Sequence, residues 1–84
     1  MVNSYTLVRV NPAMDREVYN KVKAFSEVKE AIITYGEYDL ILKAEFNSLD
    51  ELDNFIFSKL RTAEGVTATT TLLEARPRTI VQEN

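Results

Sequence analysis

Residues 31–43 read AIITYGEYDLILK, two runs of apolar and β-branched residues with a short polar break between them. Such runs are typical of strands, and a glycine-bearing loop of a few residues commonly joins the two strands of a hairpin. Gly36 and Glu37 mark the turn. We therefore predict a β-hairpin with strands over residues 28–35 and 39–46.

The segment before the hairpin predicts one strand and one helix. Residues 5–10 read YTLVRV, a β-branched and aromatic run that Asn11-Pro12 interrupts. Apolar residues then recur at i, i+4 and i+7 among charged ones, a spacing that places them on one helix face. They are Val18, Val22 and Phe25, and the pattern predicts a helix from Met14 to about Ser26.

The segment after the hairpin predicts a second helix and a fourth strand. Ser48 stands three residues before Glu51, the spacing of a capping box that satisfies backbone N–H groups at a helix start. The apolar face of this helix comprises Leu49, Leu52, Phe55, Ile56 and Leu60. Gly65 predicts a left-handed end to the helix, and the threonine-rich residues 66–73 predict a strand.

The element order βαββαβ predicts an α+β fold of the ferredoxin-like type. Right-handed crossovers give this order a four-stranded antiparallel sheet with both helices on one face. We expect one domain over residues 1–76, followed by a C-terminal tail over residues 77–84 that has no apolar periodicity.

Apolar residues on the second face of the sheet predict self-association. Two helices cannot cover both faces, and a large uncovered apolar patch usually marks an interface. We expect the chain to dimerise through this face, as in dimeric α+β barrels. The residues assigned to it are Tyr5, Leu7, Ile41, Leu73 and one of the two isoleucines of strand two.

Composition narrows the possible functions. The 84 residues contain no cysteine and no histidine, which removes disulfides, thiolate chemistry and the commonest general base. A net charge of −3 opposes direct binding to nucleic acid, which depends on clustered lysine and arginine. No apolar run is long enough to span a bilayer and no export signal is visible. We expect a cytoplasmic protein without catalytic residues, metal ligands or cofactor.

The turn and the last strand together resemble a known family. Residues 36–39 (GEYD) lie in a Gly-x-Tyr-Asp turn, an apolar strand and a helix with Phe55-Ile56 follow, and residues 65–71 read GVTATTT. This order is similar to that of the effector-binding domain of the Lrp/AsnC family, called the RAM domain, over residues 5–75. Members usually carry an amino-terminal helix-turn-helix domain, so the resemblance implies a stand-alone form that does not bind DNA by itself.

The resemblance also implies a ligand and a site. Domains of this family pair through their sheets, dimers assemble into rings, and a small amino acid binds between dimers near the Gly-x-Tyr-Asp turn. An amino acid carries an ammonium that suits a carboxylate, and a carboxylate that suits backbone N–H groups or threonine hydroxyls. The implied ligand-binding residues are Tyr35, Gly36, Glu37, Tyr38 and Asp39 of the turn, with Thr69 and Thr71 of strand four.

Three functions remain open at this point. The favoured one is a non-enzymatic regulatory module that binds an amino acid and assembles with itself or with full-length Lrp/AsnC regulators. The second is a structural oligomerisation partner without a ligand, in which the turn residues and threonines serve only the hairpin and the strand. The third is a cofactor-independent enzyme on the same fold. An ACT-type amino-acid sensor shares the element order but does not explain the turn followed by the threonine strand.

Overall fold

The strands and helices follow one another in the predicted order, βαββαβ. The computed structural model describes residues 1–75, so the predicted tail over residues 77–84 lies outside the described part. The elements are β1 (Val2–Val10), α1 (Asp15–Lys23), β2 (Val28–Ile33), β3 (Leu40–Phe46), α2 (Leu49–Asn54) and β4 (Val66–Leu73). A short 3₁₀ turn, Pro12–Met14, leads into α1. Within residues 1–75 no helix is long and apolar enough to cross a membrane.

The four strands form one antiparallel sheet in the order β2-β3-β1-β4. β1 is central, so Leu7 lies opposite Ile41 of β3 on one side and opposite Thr70 of β4 on the other. This confirms the predicted ferredoxin-like arrangement.

One face of the sheet carries the core. Alternate residues of a strand point to the same face, and in β1 the buried set consists of Ser4, Thr6, Val8 and Val10. Phe55 lies at the centre, with its ring centroid 5.5 Å from the rings of both Phe25 and Phe46. The other fully or largely buried side chains of this core are Val18, Val22, Leu40, Leu42, Ala44, Leu52, Ile56 and Leu60.

The other face of the sheet is open, as predicted, with one correction to its membership. Leu73 lies opposite the buried Ser4 and therefore on the helix side, whereas Leu72 lies opposite Tyr5 on the open face. Placing Leu73 on the open face was wrong, because alternation along a strand defines two sets of residues and only the pairing with β1 decides which set faces the helices. We call Tyr5, Leu7, Ile32, Ile41 and Leu72 the open-face apolar patch.

The second helix differs from the prediction in two details. Ser48 Oγ accepts the Glu51 N–H at 3.2 Å, but Glu51 Oε2 accepts the N–H of Asn47 at 2.8 Å, and the capping box is thereby displaced by one residue. After α2 the chain continues as π-helix over Phe55–Leu60. Bonds of the i to i+5 type suit the i, i+1, i+5 spacing of the buried residues Phe55, Ile56 and Leu60, whereas Phe57 in the same segment is exposed.

We call α2 and the π-helix together, residues 49–60, the second helical segment. An ion pair joins it to the loop before β2. Lys59 Nζ lies 2.6 Å from Glu27 Oε2, and the two side chains are 42% and 24% exposed. The hydrogen bond from Lys59 lowers the pKa of the Glu27 carboxyl, against a smaller opposing effect of burial. The folded state therefore favours the ionised form of Glu27.

Gly65 follows the second helical segment and lies close to the α1 residue Val18. Its substitution tests how tightly the chain packs there. The φ of Gly65 is +96°, and a Cβ there would lie 2.7 Å from Val18 Cγ2. We predict that Gly65→Ala lowers the free energy of unfolding by about 2–4 kcal/mol, from left-handed strain and overpacking together. Gly36→Ala is the matched control, since φ is +112° but nothing lies within 4 Å, and strain alone should cost about 1–2 kcal/mol. Urea denaturation of both variants measures the difference, and equal losses would contradict the predicted clash.

The Glu27–Lys59 pair predicts a pH-dependent contribution to stability. Because the folded-state pKa of Glu27 is lowered, the pair stabilises fully above the unfolded-state pKa and loses its effect as the pH falls through the lowered value. We expect Glu27→Gln to cost less than about 1 kcal/mol at pH 7, as for other partly exposed pairs, and nothing in acid. Urea midpoints across this pH range test it, and a pH-independent difference would contradict the assignment.

Candidate ligand-binding site

The turn between β2 and β3 is attached to the end of the central strand. The Asp39 N–H donates to the Val8 carbonyl at 2.8 Å, and Asp39 Oδ2 accepts the Val10 N–H at 2.8 Å. The carboxylate thus takes the place of a ladder partner for β1. These two bonds hold Asp39 in one orientation beside the strand.

Thr34 closes the base of the same turn. Its N–H donates to the Asp39 carbonyl at 2.9 Å and its hydroxyl donates to the Tyr38 carbonyl at 2.8 Å. Between these anchors, Tyr35 is fully exposed and Gly36 adopts a φ of +112°, a region that favours glycine. The apex of the turn is therefore open to solvent while its two ends are fixed.

Arg9 and Tyr38 fasten the middle of the turn to the sheet. Arg9 Nε donates to the Glu37 carbonyl at 3.0 Å, and Arg9 Nη2 lies 3.4 Å from Glu37 Oε1. The guanidinium carbon is 5.6 Å from the centroid of the Tyr38 ring, and the Tyr38 hydroxyl lies 3.1 Å from Thr70 Oγ1. Arg9 was not predicted as a site residue, and a residue 28 positions before Glu37 has no local sequence signal that could have identified it.

A recess of about 430 Å³ lies between the turn and the start of α1. Side chains of both charges line it, so it presents the complementary charges that a zwitterion requires. From the turn side it contains Thr34, Tyr35 and Asp39, and from α1 it contains Asp15, Arg16 and Tyr19. The α1 residues were also missed, because the helical pattern placed Asp15 and Arg16 simply on a solvated helix face.

The two predicted threonines of β4 lie elsewhere in the protomer. Thr69 and Thr71 line a second cleft, of about 640 Å³, between β4 and the second helical segment. Thr71 Oγ1 lies 3.1 Å from Thr6 Oγ1, a contact that already satisfies the buried Thr6 hydroxyl. Within the described residues, the turn reaches β4 through Tyr38 and Thr70 instead. Of the seven predicted site residues, Tyr35 and Asp39 line the recess beside α1, whereas Gly36, Glu37, Tyr38, Thr69 and Thr71 do not.

The side chains of the turn offer groups for polar recognition. Within residues 1–75 no group of three carboxylates is close enough to hold a metal ion. What the turn presents is one oriented carboxylate, that of Asp39, next to backbone and hydroxyl groups. Such an arrangement can bind a small polar molecule through hydrogen bonds and charge.

Comparisons with known proteins identify the family of the chain. The family model of the Lrp/AsnC ligand binding domain matches residues 4–77. The HTH-type transcriptional regulator FL11 of Pyrococcus furiosus is 30% identical over 70 residues, which is 83% of this chain and 46% of FL11. The chain thus spans somewhat less than half the length of this curated relative, and the relatives matched are named as transcriptional regulators.

Two solved structures show the same fold. The protein PHS023 from Pyrococcus horikoshii superposes with a TM-score of 0.83 at 41% identity, covering 90% of this chain and 92% of PHS023. The regulator NMB0573 from Neisseria meningitidis was solved in complex with L-Met. It superposes with a TM-score of 0.84 at 22% identity, over 94% of this chain and 53% of the NMB0573 chain. The second likeness concerns the fold alone. Because the family model matches nearly the whole chain, the protein belongs to the Lrp/AsnC ligand binding domain family.

Proposed function

We propose that this protein is a non-enzymatic sensing module that binds a small amino acid at the turn formed by residues 35–39. One observation carries the proposal. Among the described residues, the backbone N–H groups of residues 35–38 donate to no other backbone carbonyl, and the oriented Asp39 carboxylate lies next to them. The turn thus offers donors and an anion within a few residues of each other, which suits a molecule that carries both charges.

Each charged group of an amino acid has a partner in this arrangement. The ligand ammonium binds the Asp39 carboxylate, a charge-assisted contact. The ligand carboxylate binds the free N–H groups of the turn, which it can approach closely because Gly36 has no side chain. Thr69 and Thr71 join the site from a neighbouring copy in a dimer-dimer contact. The structure of NMB0573, which shares this fold over 53% of its chain, is a complex with L-Met, and this supports an amino acid as the ligand class.

Assembly through the open face completes the proposal. The open-face apolar patch forms rows across the sheet, with Ile32, Ile41 and Leu7 side by side. Burial of such a row against a second copy removes apolar surface from water and compensates for the small core of a chain this short. The dimers associate further with each other or with full-length Lrp/AsnC regulators in the cytoplasm, and amino-acid binding tunes that association.

A structural partner without a ligand is the second candidate. The bond from the Val10 N–H to Asp39 favours it, because that bond gives the carboxylate a use in the fold alone. An enzyme has less support, since the matched relatives are named as regulators. Ligand binding and stability must therefore be measured on the same variants.

The open face predicts the oligomeric state. We expect the protein to be a dimer or a larger even oligomer at micromolar concentration by light scattering. Ile41→Lys places a charge in the middle of the patch and should shift the mass toward that of a monomer. Phe57→Lys is the control, because Phe57 is 58% exposed but lies on the second helical segment. A monomeric wild-type protein, or equal behaviour of the two variants, would contradict assembly through the sheet.

The ligand assignment predicts separable effects at Asp39. We expect at least one of the twenty amino acids, with L-methionine the first probe, to raise the melting temperature of the wild-type protein. Asp39→Asn retains an oxygen for the Val10 N–H but loses the charge, so stability should stay close to wild type while affinity falls about tenfold or more. Asp39→Ala loses both groups and should reduce stability as well as affinity.

Thermal-shift screening and calorimetric titration of the three proteins check these expectations. Full affinity in a folded Asp39→Asn variant would remove the carboxylate from the ligand site. No response of the wild-type protein to any of the twenty amino acids would instead favour the structural partner.

A further inference from the structure

We infer that Arg9 is a positioning residue for the ligand, because it sets the orientation of the peptide group between Glu37 and Tyr38. This inference rests on the proposed amino-acid site and assigns a role to a residue of β1 outside the turn. It concerns how the turn is held ready for the ligand.

The apex of the turn lacks backbone restraint. Within the described residues, the N–H groups of residues 35–38 have no backbone acceptor, and an added Cβ at Gly36 would contact nothing within 4 Å. Neither packing nor a hydrogen-bond ladder therefore orients the peptide groups at the apex. Side chains from outside the turn must supply that restraint.

Arg9 supplies it at the peptide group where it matters. Its Nε donates to the Glu37 carbonyl at 3.0 Å. In a planar trans peptide the carbonyl of one residue and the N–H of the next point in opposite directions. Capture of the Glu37 carbonyl by Arg9 therefore turns the Tyr38 N–H away from Arg9 and leaves it available for a ligand carboxylate.

The Arg9 guanidinium makes three contacts at the same time. Arg9 bonds the Glu37 carbonyl, pairs with the Glu37 carboxylate at 3.4 Å and lies over the Tyr38 ring at 5.6 Å. A planar fork can make these contacts together, whereas a lysine ammonium is a single point charge. Lysine should therefore restore the charge but not the orientation of the peptide group.

The position of Arg9 in β1 links both ends of the ligand to one strand. Its neighbours Val8 and Val10 hold Asp39 through their backbone, so the ammonium partner and the carboxylate donors are placed by three consecutive residues. The Arg9 and Glu37 side chains are 47% and 76% exposed. Their pairing contributes little to global stability, and loss of Arg9 should be visible in the turn and in ligand affinity rather than in unfolding.

The experiment compares Arg9→Ala and Arg9→Lys with wild-type protein. The control is Lys23→Ala, which also removes a cation that lies over a tyrosine ring, 5.0 Å from Tyr19, but on α1. NMR order parameters of the residue 35–38 amides are measured without ligand, and affinities are measured by titration with L-methionine and with each other amino acid that shifts the wild-type melting temperature. Proteins are compared at concentrations where light scattering gives equal mass.

We expect Arg9→Ala to lower the order parameter of the Tyr38 amide from about 0.85 toward 0.6 and to weaken affinity about five- to tenfold, as the competent turn becomes a minor state. Its unfolding midpoint should stay near that of the wild type. The order parameter and affinity of Arg9→Lys should lie between those of Arg9→Ala and the wild type, and Lys23→Ala should match the wild type.

An ordered turn with full affinity in Arg9→Ala overturns the inference, as does an affinity loss that occurs only when the oligomeric mass also changes. If wild-type protein binds no amino acid, the proposed function fails, and an ordered turn in Arg9→Ala would separately overturn the role of Arg9.

Discussion

The last three residues of the central strand organise both the sheet and the candidate site. β1 is bonded to β3 on one side and β4 on the other, so its register fixes which residues face the helices. At its end, Val8 and Val10 hold Asp39 by two bonds of 2.8 Å, and Arg9 between them holds Glu37. A shift of β1 by one residue would exchange the two faces and move the turn with them. The core and the turn therefore depend on the same strand pairing.

The two-layer architecture separates packing from association. Both helices pack on one face of the sheet, where the Phe55 ring contacts Phe25, which follows α1, and Phe46 of β3. The opposite face keeps Leu7 and Ile41 adjacent to each other, and no element within residues 1–75 covers them. A domain built in this way gains from a second copy, because its own core buries only part of the apolar surface.

The candidate site combines ends held by backbone hydrogen bonds with a solvent-exposed apex that Arg9 holds at the Glu37 carbonyl. Thr34 and Asp39 close the base of the turn, while the N–H groups of residues 35–38 donate to no backbone carbonyl within residues 1–75. This division suits ligand recognition, since free donors cost little in a solvated turn and become strong partners for a carboxylate once water is displaced. The recess beside α1 adds Arg16 and Asp15 at the edge of the same turn. Charges of both signs thus surround a small volume.

The sequence by itself determined the order of elements, the fold class and the turn, because hydrophobic spacing, a helix cap and Gly36 act within a few residues of one another. It did not determine which alternate set of each strand is buried: Ser4 and Thr6 are in the core although Tyr5 and Leu7 are more apolar, and Leu73 faces the helices instead of the open side. Nor could it bring Arg9 to Glu37 or separate Thr69 and Thr71 from the recess. These facts depend on pairing between strands distant in sequence, and only the tertiary structure decides that register.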